Sequence, residues 1–229
     1  MRHAVFTRFG GVSKGPYSSL NLSFEVGDDP QAVYENRYRI KQALGVSRLV
    51  SAKQVHGKRY FLCSSPLKKD IEIEGCDLIL TDQQGVGVLI KQADCQAFML
   101  YDERQHSLAL GHAGWRGLVA GILEEAVELM QRCFGSKVED LWAAVFPSLG
   151  PCCAEFRGYK ELFPPSFWPF QIKPNYFDLW SLSVHKLRAK GLNPARILTS
   201  GLCNKCHREF YSYRREKVTG RFGSVAVLC

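Results

Sequence analysis

The chain has 229 residues, 46% of them hydrophobic, and a formal net charge of +8. This length predicts one domain, residues 1–229, with a substantial buried core. No apolar run approaches the roughly 20 residues of a membrane-spanning helix, and the N-terminus lacks the apolar stretch of a signal peptide, so we expect a cytoplasmic protein without membrane contact.

Hydrophobic periodicity predicts a mixture of helices and strands. Helical spacing covers residues 31–44, 117–134 and 182–189, and glycine follows directly after the first two. Short apolar runs at 76–81, 85–90, 97–102 and 107–112 indicate consecutive strands of one buried sheet, and 141–146 another strand. A terminal hairpin is expected around residues 218–220. Because the order lacks strict βαβ alternation, we expect an α+β fold.

Three histidine and cysteine positions stand out. His112 lies where a strand runs through a glycine-rich turn into a helix, a junction that exposes side chains and free backbone N–H groups. Cys95 occupies a polar interruption between two apolar strands, which suits a ligand or a nucleophile better than an inert core thiol. His56 precedes Gly57 at the end of a strand-like run. Taken alone, His56 is weak evidence, whereas the three glycines around His112 favour a crowded site.

Together these residues allow two chemistries. Two imidazoles and one thiolate form a natural ligand set for zinc, and three protein ligands leave a fourth position open, as in catalytic sites. Alternatively, Cys95 is a metal-free nucleophile activated by His112, as in thiol hydrolases. Sequence spacing alone does not separate these two interpretations.

The remaining cysteines and the basic residues are less specific. Nine cysteines at irregular spacing favour reduced thiols in a reducing compartment. The Cys203–Cys206 CxxC lacks a second pair at zinc-site spacing, so we expect ordinary thiols there and at Cys152 and Cys153. The basic stretch 205–221 carries no nucleic-acid-binding motif, which favours a small phosphate-bearing substrate or a solvated face over nucleic acid.

Several motifs, read in chain order, carry a family resemblance. They are RFGGVSKGPYSSLNLS, QVHG, CDLILT, ADC, HAGWRG, GPC, FYSYRR and TGR, and they extend from Arg8 to Arg221. The chain resembles the YfiH family, first described as multicopper polyphenol oxidases or laccases, and later as purine nucleoside phosphorylases that also deaminate adenosine.

The resemblance implies a fold, a metal site and an activity. The fold is a layered α/β/β/α sandwich with mixed sheets, and the metal ligands are His56, Cys95 and His112, with zinc expected and copper as the alternative metal. The implied reactions are phosphorolysis of adenosine, inosine, guanosine or methylthioadenosine and deamination of adenosine to inosine. Purine nucleosides and phosphate would then be the partners of a monomer or small homo-oligomer.

Further roles are assigned by charge and position. Cys95 and His112 are expected to be catalytic, with Asp94 as general acid or base or, alternatively, as the group that orients a ligand histidine. The phosphate-binding candidates are Arg8, Lys14 and Arg116. The first two lie in a glycine-rich loop, residues 7–17, whose composition is suited to binding an oxyanion.

Other functions remain open from the sequence. A cysteine-dependent amide hydrolase acting in peptidoglycan precursor editing would use Cys95 without metal. A copper polyphenol oxidase is harder to support, because a laccase couples several coppers through many histidines and the chain has six. A non-enzymatic binding module fits least, since all three candidate ligands are present.

Overall fold

The structure, a computed structural model, describes every residue from Met1 to Cys229. The helices are α1 (Pro30–Leu44), α2 (Trp115–Ala120), α3 (Ile122–Phe134), α4 (Tyr159–Leu162), α5 (Leu179–Ala189) and α6 (Tyr213–Glu216). The strands are β1 (Arg2–Val5), β2 (Arg48–Lys53), β3 (Tyr60–Cys63), β4 (Ile71–Glu74), β5 (Leu78–Thr81), β6 (Val86–Gln92), β7 (Gln96–Asp102), β8 (Ser107–Ala113), β9 (Leu141–Val145), β10 (Gln171–Lys173), β11 (Tyr176–Phe177), β12 (Ile197–Thr199) and β13 (Phe222–Val227). None of the helices combines the length and the apolar character needed to cross a membrane.

The strands form two mixed sheets. The first has the order β1-β13-β6-β2-β4, with β2 parallel to both of its neighbours and the other pairs antiparallel. The second has the order β12-β9-β7-β8-β5-β3, with parallel pairs only at its two edges. A two-stranded ribbon of β10 and β11 stands apart.

Three hydrophobic cores define the layers. One lies between α1 and the first sheet and includes Ile40 and Leu89. A second lies between the two sheets and includes Ile90 and Met99. The largest packs α2, α3 and α5 against the second sheet and includes Phe98. The expected α+β fold, an α/β/β/α sandwich with mixed sheets, is confirmed by this arrangement.

Capping residues set the helix ends. The Asp29 side chain accepts a hydrogen bond from the backbone N–H of Gln31 at the start of α1, and Gly45 ends that helix with φ +64°. The helix expected over 117–134 is divided in two, because Gly121 adopts φ +83° between α2 and α3. A residue in this conformation cannot continue a right-handed helix.

Two expectations from the sequence were wrong. The run 85–90 was assigned to the same sheet as its neighbours, yet β6 belongs to the first sheet whereas β5, β7 and β8 belong to the second. No terminal hairpin forms around residues 218–220. These residues follow α6, and the strand after them, β13, pairs with β1 from the N-terminus and with β6. Long-range pairing outweighs the local turn signal here.

Candidate active site

Two loops and the end of a strand bring His56, Cys95 and His112 together. His56 follows β2, Cys95 lies between β6 and β7, and His112 is the next-to-last residue of β8, shortly before α2. One ring nitrogen of each histidine and the Cys95 Sγ all lie within 4.8 Å of one another. His112 is buried and His56 is exposed, so the cluster is closed on one side and open on the other.

Asp77, which is fully buried, holds both histidines. Its Oδ1 accepts hydrogen bonds from His112 Nδ1 and from the backbone N–H of His56, each at 2.9 Å. Its Oδ2 accepts from the backbone N–H groups of Gly57 at 2.8 Å and Val55 at 3.2 Å. With Nδ1 of His112 occupied by Asp77, Nε2 is the ring nitrogen left for the cluster. One carboxylate therefore orients the ring of one histidine and fixes the loop that carries the other.

Backbone geometry also shapes the cluster. His56 has φ +64°, and Asp94, directly before Cys95, has φ +94°. Left-handed conformations of this kind are uncommon outside glycine and concentrate at functional sites. Gly114 leaves room for the ligands, since a Cβ atom there would lie 2.9 Å from His56 Cδ2 and 3.1 Å from Cys95 Sγ.

Without a metal ion, Cys95 and His112 favour an ion pair. Burial opposes the thiolate, but the adjacent imidazoles, His112 foremost, lower the pKa of the Cys95 thiol to about 6. Burial likewise opposes the imidazolium, but the charge of Cys95 and the hydrogen bond to Asp77 raise the pKa of His112. A thiolate beside two imidazoles can bind a metal or act as a nucleophile.

The cluster opens into a cavity of 760 Å³, which falls within the size range of small-molecule sites. Its walls carry six cationic side chains and only two carboxylates, Glu25 and Asp94, so anions are favoured there. Trp115 and Tyr213 add aromatic surface. The cationic side chains are Lys53, Lys91, Arg116, Arg214, Lys217 and Arg221.

Two of the six cationic side chains form ion pairs with carboxylates, and the other four do not. Lys53 pairs with Glu74, and the buried Lys91 ammonium pairs with Glu25 and Glu72. Glu72 also accepts from Arg37 at 3.0 Å. The other four cations of the cavity form no salt bridge with a carboxylate, and they are Arg116, Arg214, Lys217 and Arg221.

The phosphate-binding candidates from the sequence are therefore separated in space. Arg116 lies in the cavity wall, with its guanidinium 4.5 Å from the centre of the Trp115 ring. Arg8 and Lys14 do not line the cavity. Arg8 forms an ion pair with Glu216 at 2.7 Å and donates to the Ser18 carbonyl, and Lys14 is exposed.

Asp94 lines the cavity, and both of its carboxylate oxygens accept hydrogen bonds. Oδ1 accepts from Asn204 Nδ2 at 3.1 Å and from Ser212 Oγ at 2.6 Å, and Oδ2 accepts from the backbone N–H of Arg214 at 2.6 Å. The carboxylate that orients a ligand histidine is Asp77, not Asp94. Asp77 was missed because it lies within CDLILT, which reads locally as the start of a strand.

Comparison with known proteins identifies the family. Residues 2–229 match the family described as multi-copper polyphenol oxidoreductase laccase, and the chain belongs to this family. It is 35% identical over 228 residues to the purine nucleoside phosphorylase YfiH of Escherichia coli strain K12, covering 95% of this chain and 90% of that protein. It is 34% identical over 241 residues to the purine nucleoside phosphorylase PA4543 of Pseudomonas aeruginosa, covering 100% and 93%.

Solved structures agree with this assignment. The fold matches Bacillus licheniformis YfiH with a TM-score of 0.91 at 27% identity, covering 99% of this chain and 92% of that one. It matches YlmD from Geobacillus stearothermophilus with a TM-score of 0.86 at 30% identity, covering 98% and 92%. The resemblance to YfiH proteins is confirmed.

Proposed function

We propose that this protein is a zinc-dependent purine nucleoside enzyme. It cleaves adenosine, inosine, guanosine or methylthioadenosine with phosphate, giving the free base and ribose 1-phosphate or its methylthio analogue, and it deaminates adenosine to inosine. The relatives named purine nucleoside phosphorylase support the reaction class. With nine free thiols, it is expected to act in the reducing cytoplasm.

One observation carries the proposal: a His₂Cys cluster and four cations without carboxylate partners line the same cavity. Phosphate needs cations, and a purine nucleoside needs a cavity of this size with aromatic walls. Amide hydrolysis by a thiolate does not itself require a cationic wall, whereas phosphorolysis requires a site for phosphate.

The donor set fits zinc. Two imidazoles and a thiolate are the kind of three-ligand set that leaves a fourth position open. When bound there, zinc supplies Lewis-acid chemistry and lowers the pKa of a water molecule toward about 7. Copper accepts the same donors and is the alternative metal. His3, His106, His185 and His207 belong to no metal-ligand cluster, which argues against the several coupled coppers of a laccase.

For phosphorolysis, the chain must hold a phosphate dianion against the sugar. A phosphate oxygen attacks the anomeric carbon, the glycosidic C–N bond breaks, and the base leaves with the bonding electron pair and takes up a proton. We infer that the dianion is held, and its motion limited, by the four cations that line the cavity without carboxylate partners, Arg116, Arg214, Lys217 and Arg221. Trp115 and Tyr213 offer faces for stacking the purine.

For deamination, water replaces the exocyclic amine of adenosine and ammonia leaves. This reaction needs no phosphate, so the cationic wall is dispensable for it whereas the His₂Cys cluster is not. The two reactions therefore make different demands on one cavity, and phosphate dependence distinguishes them.

The direct test measures nucleoside turnover by chromatography, with and without phosphate, beside the zinc content of the purified protein. Wild type is expected to release base only with phosphate and to form inosine from adenosine in either case. Cys95→Ser is expected to lose both reactions and about one zinc per chain. Metal-free wild type with an alkylatable Cys95 and no nucleoside turnover would favour the cysteine hydrolase instead.

A matched pair of arginine variants tests the phosphate site. Arg221→Met removes a cation from the cavity wall and is expected to raise the KM for phosphate about 10- to 100-fold, the value of one charge-assisted hydrogen bond. Arg8→Met removes a cation outside the cavity and should leave that KM within about twofold. If Arg8→Met instead raises the KM for phosphate more than Arg221→Met does, phosphate binds at the loop of residues 7–17, as the sequence suggested.

A further inference from the structure

A second sulfur cluster lies outside the cavity. Cys152 and Cys153 follow β9, and Cys203 and Cys206 follow β12, so the cluster joins two distant segments of the chain. The four Sγ atoms all lie within 4.8 Å of one another. None of the four residues lines the cavity.

The spacing of the sulfurs matches a metal tetrahedron. Zinc–thiolate bonds are about 2.3 Å long, which puts the sulfurs of a tetrahedral ZnS₄ centre about 3.8 Å apart. Cys206 Sγ lies 3.7 Å from Cys152 Sγ and 3.5 Å from Cys153 Sγ. A disulfide would instead bring two sulfurs to about 2.05 Å, and all four cysteines are free thiols.

The segment that carries Cys152 and Cys153 lies close to the segment that carries Cys203 and Cys206. The backbone N–H of Asn204 donates to the Ser148 carbonyl at 3.1 Å, and the backbone N–H of Ser148 donates to the Leu202 carbonyl at 3.2 Å. These hydrogen bonds bridge the two segments. A Cβ atom at Gly150 would lie 2.9 Å from the Cys203 Cβ, so only glycine permits this approach. These contacts hold the segments together through the backbone, independently of any ion.

We propose that Cys152, Cys153, Cys203 and Cys206 bind a structural zinc ion. Four thiolates complete a tetrahedron and leave no position for substrate, unlike the His₂Cys cluster. Binding converts the thiols to thiolates and releases their protons to solvent, with no change of oxidation state. This inference is independent of the proposed nucleoside chemistry.

The ion would fix a wall of the cavity. Asn204 lies inside the CxxC turn, and its Nδ2 donates to the Tyr211 carbonyl at 2.8 Å and to Asp94 Oδ1 at 3.1 Å. The Asp94 carbonyl in turn accepts from the backbone N–H of Leu149, in the other cysteine-bearing segment. Both segments that the ion would join therefore contact the residue directly before Cys95.

Zinc counting on serine variants tests the site. Purified under reductant, wild type is expected to hold about two zinc ions per chain, and Cys95→Ser and Cys206→Ser about one each. Cys229→Ser removes an exposed thiol outside both clusters and should match wild type. If the nucleoside proposal fails, Cys95→Ser still retains its zinc.

X-ray absorption on zinc-loaded Cys95→Ser provides a readout that leaves the four cysteines intact. The expected spectrum shows four sulfur ligands at about 2.3 Å and no nitrogen. Zinc-free Cys95→Ser, zinc bound through nitrogen or oxygen, iron in place of zinc, or a Cys152–Cys206 disulfide in reduced preparations would each overturn the assignment.

Discussion

The carboxylate of Asp77 is the most informative group to perturb, because it holds both histidines of the candidate active site. Asp77→Asn preserves the shape of the side chain and replaces one oxygen by an NH₂ group. Each oxygen accepts two hydrogen bonds, Oδ1 from the His56 backbone and the His112 ring, Oδ2 from the Val55 and Gly57 backbones. Either orientation of the amide therefore deprives two donors of their acceptor.

The magnitude follows from these contacts. A buried donor without an acceptor costs about 1 to 3 kcal/mol, so two cost about 2 to 6 kcal/mol. In a chain of this size, 1 kcal/mol corresponds to roughly 2 to 4 °C in melting temperature, which predicts a loss of about 4 to 24 °C. An amide donating to His112 Nδ1 would also leave the proton on Nε2, where a metal must bind, so we expect about 10- to 100-fold weaker zinc binding.

The assays are thermal unfolding of the metal-free protein and zinc affinity by chelator competition. Asp102→Asn is the matched control, because Asp102 is also buried in a sheet but lies away from the histidines. Its Oδ1 accepts from the Arg104 and Gln105 backbones, whereas its Oδ2 has no partner and can become NH₂ without depriving a donor. We expect Asp102→Asn to lower the free energy of unfolding by about 1 kcal/mol and to leave the zinc affinity unchanged. If Asp77→Asn behaves like this control in both assays, the role given to Asp77 is refuted.

Three further predictions concern the same region. Gly114→Ala should weaken zinc binding by at least about 10-fold, measured by the same competition, because the added methyl group displaces two ligands. The pKa of Glu72 is held below its ordinary value, against burial, by two cations, so its ion pairs stabilise the fold above about pH 4.3 and are lost as the pH falls through the folded pKa. Glu72→Gln should therefore be less stable at neutral pH and show a shallower loss of stability in acid. Asp94→Asn should lower kcat less than about 10-fold with an unchanged pH profile if Asp94 only positions the wall, whereas a general base would cost about 10²- to 10⁴-fold.

The fold was largely predictable from the sequence because periodicity identifies elements independently of their neighbours. The helix α1 and the strands β7 and β8 appear where apolar spacing and glycine punctuation indicated them. The sheet to which β6 belongs was not predictable, since a strand buried on both faces gives a continuous apolar run that specifies no partner. The pairing of β13 with β1 joins the two ends of the chain, and no local signal encodes it.

The candidate site also combines residues that local sequence identifies with residues that only the tertiary structure reveals. Local context pointed to His56, Cys95 and His112, because glycines and polar interruptions mark where a chain turns to present a side chain. The orienting role of Asp77 depends on tertiary contacts. Arg214 and Arg221 lie in the basic stretch 205–221 that favoured a phosphate-bearing substrate or a solvated face, but their position in the cavity wall also depends on tertiary contacts. Glu216, the ion-pair partner of Arg8, lies 208 residues away in sequence. The second cysteine pair was missed for a related reason, since adjacent cysteines do not show the spacing by which zinc sites are recognised.

The two sulfur clusters differ in the chemistry that their donors permit. The His₂Cys cluster has one thiolate, two neutral donors and an open side facing a cationic cavity, so a metal there keeps a free position and a positive character that suits anionic or polar substrates. Four thiolates carry more negative charge than a divalent ion carries positive charge. A metal bound by them would lose its Lewis acidity and would serve only to cross-link the chain. Asn204 connects the clusters through Asp94, so the proposed cross-link would act on the segment that carries Cys95. The two proposals together assign one structural and one catalytic role to zinc in the same chain, and the donor set alone distinguishes them.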